Sequence, residues 1–255
     1  MKLRKMFKIW LISLSAVIKA AAISGIAVYP ALLFVASVIW FNTETKATPQ
    51  NTQVDLALIL AVDVSSSVDN SEYHLQNQGL ARAFASREVI ALIRQCRLGR
   101  IAVMIVQWSS PRFQSAVVPW TIVSDEATAD RVARAILAAP RQFAGGTSIS
   151  ALIDFGMFQF LRAPVSAYRH VIDISTDGVN NSGERPRFPR ARAIAAGVTI
   201  NGLTILNDVN NLDIYFRQYI AAGPNNFVMK ADDYEAYRTA IKRKLLKEIE
   251  CLALS

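Results

Sequence analysis

The chain has 255 residues, of which 52% are hydrophobic, and a formal net charge of +8. This length suits one α/β domain with a sizeable core once an apolar leader is set aside. Residues 1–50 hold one acidic residue and six Lys or Arg, leaving 22 of the 28 basic and 19 of the 20 acidic residues for the rest. Because most of the excess positive charge lies in the leader, the composition argues against nucleic-acid binding.

The first 41 residues have the pattern of an export signal. A basic start, residues 1–8, precedes an apolar tract in which residues 20–41 carry no charge. A stretch of this length can span a bilayer, and the basic end favours the cytoplasmic side. We expect residues 1–41 to be a signal peptide or an N-terminal membrane anchor and residues 42–52 to be a polar linker. The remaining domain is then exported to the periplasm or another extracytoplasmic space, and an anchor would tether it to the inner membrane.

Seven apolar residues, Leu56 to Val62, lead directly into Asp63, Ser65 and Ser67. Such a run predicts a strand buried on both faces, as in a parallel sheet, and open α/β sheets bind ligands at the carboxyl ends of their strands. Carboxylate and hydroxyl oxygens at alternate positions are hard donors that suit Mg²⁺. Taken alone, these residues are equally compatible with a cap of the next helix.

Strand and helix patterns alternate through the domain, residues 53–252. Strands are predicted at 56–62, 100–108, 113–119, 171–177, 198–206 and 226–230, and helices at 70–95 with a break near 86–88, 125–139, from 147 onward, 190–196, 212–221 and 233–252. The short turn before residue 113 predicts an antiparallel hairpin at the sheet edge, where Pro119 is tolerated. The fold class expected is α/β: a doubly wound, mostly parallel six-stranded sheet with one antiparallel edge strand and helices on both faces.

Two further segments complete the candidate site. Gly145-Gly146-Thr147 opens a predicted helix, and Thr176-Asp177-Gly178 follows a predicted strand. Together with the motif that begins at Asp63, the order Asp-x-Ser-x-Ser, Gly-Gly-Thr and Thr-Asp-Gly resembles the metal-ion-dependent adhesion site (MIDAS) of von Willebrand factor A (vWA) domains. Within that family the chain is similar to an exported bacterial subgroup (DUF1194-like).

The resemblance implies a set of metal ligands and a partner. Ser65, Ser67 and Thr147 would bind a divalent cation through their hydroxyls, and Asp63 and Asp177 through waters. The cation would be Mg²⁺, or Mn²⁺ or Ca²⁺, and its open position would take a carboxylate from an unidentified protein partner. The expected function is adhesion-type protein binding. The alternatives are a scaffold of an envelope assembly whose metal stabilises the fold and, third, a metal-dependent hydrolase.

Catalytic motifs are not evident in the sequence. Phosphatases with a nucleophilic aspartate carry a second aspartate two residues later, where this chain has Ser65, and neither a Gly-x-Ser-x-Gly elbow nor a Walker A pattern occurs. We expect His74 and His170 to be surface or packing residues, with His170 ahead of the strand that ends near Asp177. Asp173, on that strand, is expected to be a buried polar group and not a ligand.

Arginines crowd the segment that follows Asp177, at positions 185, 187, 190 and 192. They lie on the ligand side of the predicted sheet. Two interpretations stay open: they steer an acidic partner, or they form a solvated loop and helix face.

The chain contains two cysteines, Cys96 and Cys251, and neither has metal-binding spacing. In a sheet of the resembled type, the first and last helices run parallel on one face, which would bring the two sulfurs together. A disulfide is therefore expected in an oxidising compartment, and two buried thiols are the alternative.

Overall fold

The computed structural model describes residues 52–250. Its strands are β1 (Thr52–Asp63), β2 (Ile101–Trp108), β3 (Gln114–Val123), β4 (Val165–Thr176), β5 (Val198–Ile205) and β6 (Val228–Ala231). Its helices are α1 (Asn70–Phe84), α2 (Arg87–Gln95), α3 (Glu126–Ala138), α4 (Ile149–Leu161), α5 (Arg187–Ala195), α6 (Leu212–Tyr215), which continues into a π-helix at Phe216–Ile220, and α7 (Tyr234–Ile249). The segment 1–41, for which we predicted a signal peptide or anchor, lies outside the described residues. Between residues 52 and 250, no helix has both the length and the hydrophobicity that a membrane span requires.

The strands form one sheet in the order β3-β2-β1-β4-β5-β6. Neighbouring strands are parallel except β2 and β3, which pair antiparallel at the edge. The β2–β3 register shifts on both sides of Ile105, whose partner Val118 directly precedes Pro119. An edge strand tolerates this irregularity and the missing proline N–H. The predicted fold class is confirmed.

Strand β1 lies near the centre of the sheet, and its side chains alternate between two cores. Leu58 and Leu60 pack into the core beneath α1, α2, α3 and α7. Ile59 and Ala61 pack into the core beneath α4, α5 and α6. Burial on both faces is the reason that this strand is a continuous apolar run.

Helices α1 and α7 lie side by side on one face of the sheet, as expected for the first and last helices. A Cβ on Gly79 would lie 3.2 Å from the Cα of Arg238, so glycine allows the two backbones to approach closely. The predicted apolar stripe of α7 is buried and consists of Tyr234, Tyr237, Ile241, Leu245 and Ile249. Because α7 follows the last strand, this packing places its amino end at the same sheet edge as the candidate site.

Cys96 directly follows α2 and is disulfide-bonded. Its Sγ is buried and lies 3.7 Å from the carbonyl oxygen of Ile249, at the end of α7. Cys251, the partner predicted from the sequence, lies outside the described residues.

Strand β4 begins at Val165, six residues earlier than the sequence pattern indicated. The prediction that His170 precedes the strand was therefore wrong: His170 is inside it, paired with Ala57 of β1, and its ring lies 5.0 Å from that of Phe160. Residues 165–170 are only partly buried, so they lack the continuous apolar run by which the rest of the strand was found. The expectation that this histidine packs against its neighbours agrees with the structure.

A buried ionic cluster fastens α7 to the sheet. Lys244 is fully buried, and its Nζ lies 2.5 Å from Asp173 of β4 and 2.7 Å from Glu248 of its own helix. Asn201 of β5 donates a hydrogen bond of 2.7 Å to Glu248. Burial raises the pKa of Asp173 to about 7; the charge of Lys244 opposes this shift and that of Glu248 adds to it. Asp173 is thus a buried polar group of the core, as expected.

Candidate metal centre

The candidate residues lie together at the carboxyl ends of β1 and β4. The Ser67 hydroxyl donates a hydrogen bond of 2.9 Å to Asp177, and the Oγ atoms of Ser65 and Ser67 are 3.2 Å apart. Thr147 Oγ1 lies 3.3 Å from the position that a Cβ on Gly178 would occupy. Three separate segments of the chain therefore meet here, as their order predicted, while their role as ligands stays a prediction.

Asp63 is fully buried, and both of its carboxylate oxygens accept hydrogen bonds from protein groups. Oδ1 accepts from the backbone N–H of Ser65 at 2.7 Å, and Oδ2 accepts from the hydroxyl of Thr176. The backbone carbonyl of Asp63 accepts from Gln76 of α1 at 3.2 Å. These bonds hold the turn after β1 against β4 and α1, which sets the direction of the two serine hydroxyls.

Asp177 is held by hydroxyls from two different elements. Oδ1 accepts from Ser67, and Oδ2 accepts a hydrogen bond of 3.0 Å from the hydroxyl of Tyr234, the first residue of α7. Tyr234 is 4% exposed, so water does not readily replace this contact. The amino end of the last helix is therefore joined to the candidate site by a side chain that the motifs do not contain.

Burial governs the charge state of both carboxyl groups. It raises the pKa of Asp63 to about 7; hydrogen bonds from Thr176 and Ser65 oppose the shift, and the nearby Asp177 adds to it. Burial likewise raises the pKa of Asp177, against hydrogen bonds from Ser67 and Tyr234. Two buried acids whose ionised forms are disfavoured are the setting in which a bound divalent cation most strongly stabilises the carboxylates.

The loop that carries Thr147 is fastened to both other loops. Gly145 has a φ of +131°, and a Cβ there would clash with the hydroxyl of Ser110, so glycine is required on two counts. The N–H of Gly145 donates a hydrogen bond of 2.9 Å to the hydroxyl oxygen of Ser66, and the C=O of Gly145 accepts one of 2.9 Å from the N–H of Ser66. The N–H of Thr147 donates to Asn181 Oδ1 at 2.8 Å. The loop therefore offers its hydroxyl from a fixed backbone.

Several residues that support the site were given no role at the site by the sequence analysis. They are Thr176, Tyr234, Asn181, Gln76 and Arg141, the last of which donates hydrogen bonds to the carbonyls of Val64 and Ser65. Thr176 directly precedes Asp177, so its place in the Thr-Asp-Gly motif was an available signal. Tyr234 was assigned to the core stripe alone, and the other three lie outside the motifs.

The donor set fits a hard divalent cation. Octahedral Mg²⁺ binds oxygen at ~2.1 Å with right angles between neighbouring ligands, so two adjacent ligand oxygens lie about 3.0 Å apart. The hydroxyl oxygens of Ser65 and Ser67 are 3.2 Å apart, close to this spacing. In the described part of the chain, no group of three or more His, Cys, Asp and Glu side chains is arranged to hold a metal. The candidate site has two carboxylates and relies on hydroxyls for the remaining ligands.

The arginines after Asp177 mostly make local contacts. Arg192 pairs with Asp154 and Glu184, each at 2.7 Å. Arg190 donates to the carbonyl of Ala221 at 3.0 Å, and the guanidinium of Arg187 lies over the ring of the adjacent Phe188. For three of the four arginines, these contacts favour the second interpretation, a loop and helix face, over the steering of an acidic partner.

One protein-family model matches nearly all of the domain. Residues 53–253 match the family model described as "Protein of unknown function (DUF1194)". None of the curated proteins compared with the chain matches it.

Solved structures that resemble the chain include vWA domains. Proximal thread matrix protein 1 from the mussel byssus, in a form "with zinc occupied MIDAS motif", has 18% identity and a TM-score of 0.60 over 78% of this chain and 49% of its own. The von Willebrand factor type A protein from Catenulispora acidiphila has 18% identity and a TM-score of 0.54 over 77% and 43%. The pilus adhesin SpaC from Lactobacillus rhamnosus GG has 16% identity and a TM-score of 0.55 over 78% and 31%. The chain thus spans less than half the length of these proteins, and the likeness establishes a vWA-type fold.

Proposed function

The chain belongs to the family described as "Protein of unknown function (DUF1194)", and we propose that it is a metal-dependent, adhesion-type binding domain of the vWA fold. The cation is Mg²⁺, with Mn²⁺ and Ca²⁺ as the other candidates. The observation that carries the proposal is that the Ser67 hydroxyl lies within hydrogen-bonding distance of both Ser65 and Asp177 at the ligand edge of the sheet. A MIDAS motif occupied by zinc in the mussel protein supports a divalent metal at the equivalent motif here.

The proposed metal is held by this chain's own hydroxyls and carboxylates. Ser65, Ser67 and Thr147 would bind it directly, and Asp63 and Asp177 would bind it through waters. Few directly bound carboxylates leave the cation electron-poor, and hard cations of this kind prefer oxygen ligands. We therefore infer that the partner is a protein that supplies a carboxylate to the open position.

A non-enzymatic role is part of the proposal. The mussel protein is named as a thread matrix protein and SpaC as a pilus adhesin, which supports a binding or structural role. His74 is exposed on α1, and His170 is half-buried about seven residues before the site along β4. Neither histidine is placed to act as a base at the metal centre.

Export is the second part of the proposal. The basic, apolar leader of residues 1–41 carries it, and the domain then acts outside the cytoplasm, tethered to the inner membrane if the leader is retained. Fractionation tests this directly: an anchored chain stays in the membrane pellet after a high-salt wash. Activity of a cytoplasmic reporter fused after residue 255 would contradict export.

The binding proposal is tested by water-proton relaxation with Mn²⁺ bound to the full chain in neutral detergent. A peptide with one aspartate should displace a metal-bound water and lower the relaxation enhancement, whereas the same peptide with asparagine should not. Asp63→Ala should abolish the response. If Mn²⁺ binds and stabilises the protein but no carboxylate peptide alters the relaxation, the metal serves the fold and the scaffold alternative is favoured.

A further inference from the structure

A second surface of the domain is a groove whose charged lining residues are mainly cationic. It is a cavity of about 580 Å³ where α1, the start of α2 and α7 meet. Four cationic side chains and one acidic side chain line it: Arg82, Arg238, Lys242, Arg243 and Glu88. Ala83, Thr239 and Leu246 form the less polar part of its wall. This volume is within the ordinary range of small-ligand sites.

The acidic side chains at the groove do not neutralise all of its cationic side chains. Lys242 pairs with Glu88 at 2.9 Å, and Arg238 has a long contact of 3.7 Å with Glu235. Among residues 52–250, no ion pair is formed by Arg82 or Arg243.

Arg238 gives a second sign of a missing partner, because its Nε is buried without a hydrogen-bond acceptor. With four cationic side chains and one acidic side chain, the groove has a net charge of +3, equal to the formal excess of 22 basic over 19 acidic residues after residue 50. An anion that occupied the groove would meet the guanidinium groups of Arg82 and Arg243, which form no ion pair among the described residues.

The groove extends away from the candidate metal centre, and its nearest lining residue on α7, Arg238, is four residues, about 6 Å, along the helix from Tyr234. Arg82 lies twelve residues along α1 from Asn70, and Arg243 lies nine residues along α7 from Tyr234, which contacts Asp177. At 1.5 Å per residue these positions are about 18 Å and 14 Å down their helices, away from the metal edge. They lie toward the end of the sheet where β1 begins at Thr52.

We propose that this groove binds the phosphate headgroup of an anionic phospholipid. Guanidinium groups match phosphate oxygens in a bidentate geometry, and a partly apolar wall suits the glycerol backbone next to the phosphate. The chain enters the domain at this end of the sheet, directly after fifty residues that include the uncharged stretch 20–41. The groove is then a second, electrostatic contact with the bilayer that sets the orientation of the domain and leaves the metal edge directed away from the membrane. This site is independent of the proposed metal function and rests on the proposed export of the domain behind a membrane anchor.

Amide hydrogen exchange of the full chain in lipid nanodiscs tests the proposal. In discs with about 30% phosphatidylglycerol, amides of residues 79–86 and 238–246 should exchange at least about tenfold more slowly than in pure phosphatidylcholine, an effect equivalent to ~1.4 kcal/mol. High salt should remove the difference because the contact is electrostatic.

Arg82→Ala with Arg243→Ala should abolish the protection, while amides of β1 and β4 report that the fold is intact. Arg131→Ala with Arg134→Ala, the same charge change on the exposed side of α3, is the matched control and should retain it. Equal exchange in the two lipids would overturn the proposal. Two other results would also overturn it. If inorganic phosphate protects the same amides in phosphatidylcholine discs, the groove is a site for a free anion. If hexaglutamate protects them there, the partner is an acidic protein.

Discussion

Substituting Lys244 by methionine removes the cation that faces two buried carboxylates in the core. Lys244 and Asp173 are both 0% exposed, and Lys244 contacts Asp173 at 2.5 Å and Glu248 at 2.7 Å. Methionine has nearly the same length and no charge, so the substitution leaves the volume filled and the carboxylates unpaired. The substitution therefore isolates the electrostatic consequence of losing the cation.

Breaking a buried ion pair on one side costs about 3–5 kcal/mol of unfolding free energy. For a domain of this size each kcal/mol lowers the melting temperature by about 2–4 °C, so the expected fall is roughly 6–20 °C. The folded variant should take up a proton on Asp173, because without the cation of Lys244 the ionised form of Asp173 is disfavoured even more. A raised folded-state pKa adds stability as the pH falls, so the defect should shrink toward about pH 5.

Urea unfolding monitored by circular dichroism measures the change. Lys242→Met is the matched control, because Lys242 is on the same helix but its ion pair with Glu88 is exposed, and such pairs contribute about 0–1 kcal/mol. Neutralising the carboxyls as well, with Asp173→Asn and Glu248→Gln, should recover most of the loss. The reasoning would be refuted if Lys244→Met lowered the unfolding free energy by less than ~1 kcal/mol, the limit for surface ion pairs. It would also be refuted if the triple variant were no more stable than Lys244→Met alone.

Three further predictions concern pH, the metal edge and the disulfide. Burial raises the pKa of Asp63 and Asp173 from 3.8 to about 7, so between these values the folded chain holds protons that the unfolded chain has released. Metal-free protein should therefore be more stable near pH 5 than near pH 8, as measured by urea unfolding with EDTA. In the Asp173→Asn variant the stability should depend less on pH. Tyr234→Phe removes a hydrogen bond to a carboxylate and should lower the unfolding free energy of the metal-free protein by about 1.5–3 kcal/mol. Tyr237→Phe is the control and should lower it less, because the Tyr237 hydroxyl contacts only a serine, at 3.4 Å. Equal losses would count against a special role for Tyr234. Reducing the disulfide of Cys96 should lower stability by about 2–5 kcal/mol and leave Mn²⁺ affinity unchanged, since Cys96 lies near the carboxyl end of α7; a fall in Mn²⁺ affinity would contradict this placement.

Much of the fold could be predicted from the sequence because local patterns match the final environment of each element. The run before Asp63 is apolar throughout because β1 is covered by helices on both faces. The short turn between β2 and β3 permits only an antiparallel pair. Strand β4 was predicted six residues too short, since its first half is partly exposed and gives no continuous apolar signal.

The candidate ligands were found because their spacing within short motifs carries the signal. The sequence did not identify the side chains that hold those candidate ligands in place. Tyr234 contacts Asp177 from 57 positions away, and Asn181 contacts Thr147 from 34 positions away. Such contacts depend on how helices and loops pack, and a single sequence contains no local pattern that reports them. The same is true of Lys244, whose partner Asp173 was recognised as buried while the cation was not.

Isothermal titration of Mn²⁺ into the full chain tests the central claim most directly. Wild-type protein should bind one ion, and a concentration of about 100 times the Kd should raise the unfolding free energy by about 2.7 kcal/mol. Ser65→Ala with Thr147→Ala should abolish both effects, whereas removal of two hydroxyls remote from the site, Thr121→Ala with Ser166→Ala, should change neither. Saturable binding that persists in the Ser65/Thr147 variant, or wild-type protein whose melting curve is unaltered by Mn²⁺ and by EDTA, would contradict a metal centre at this edge of the sheet.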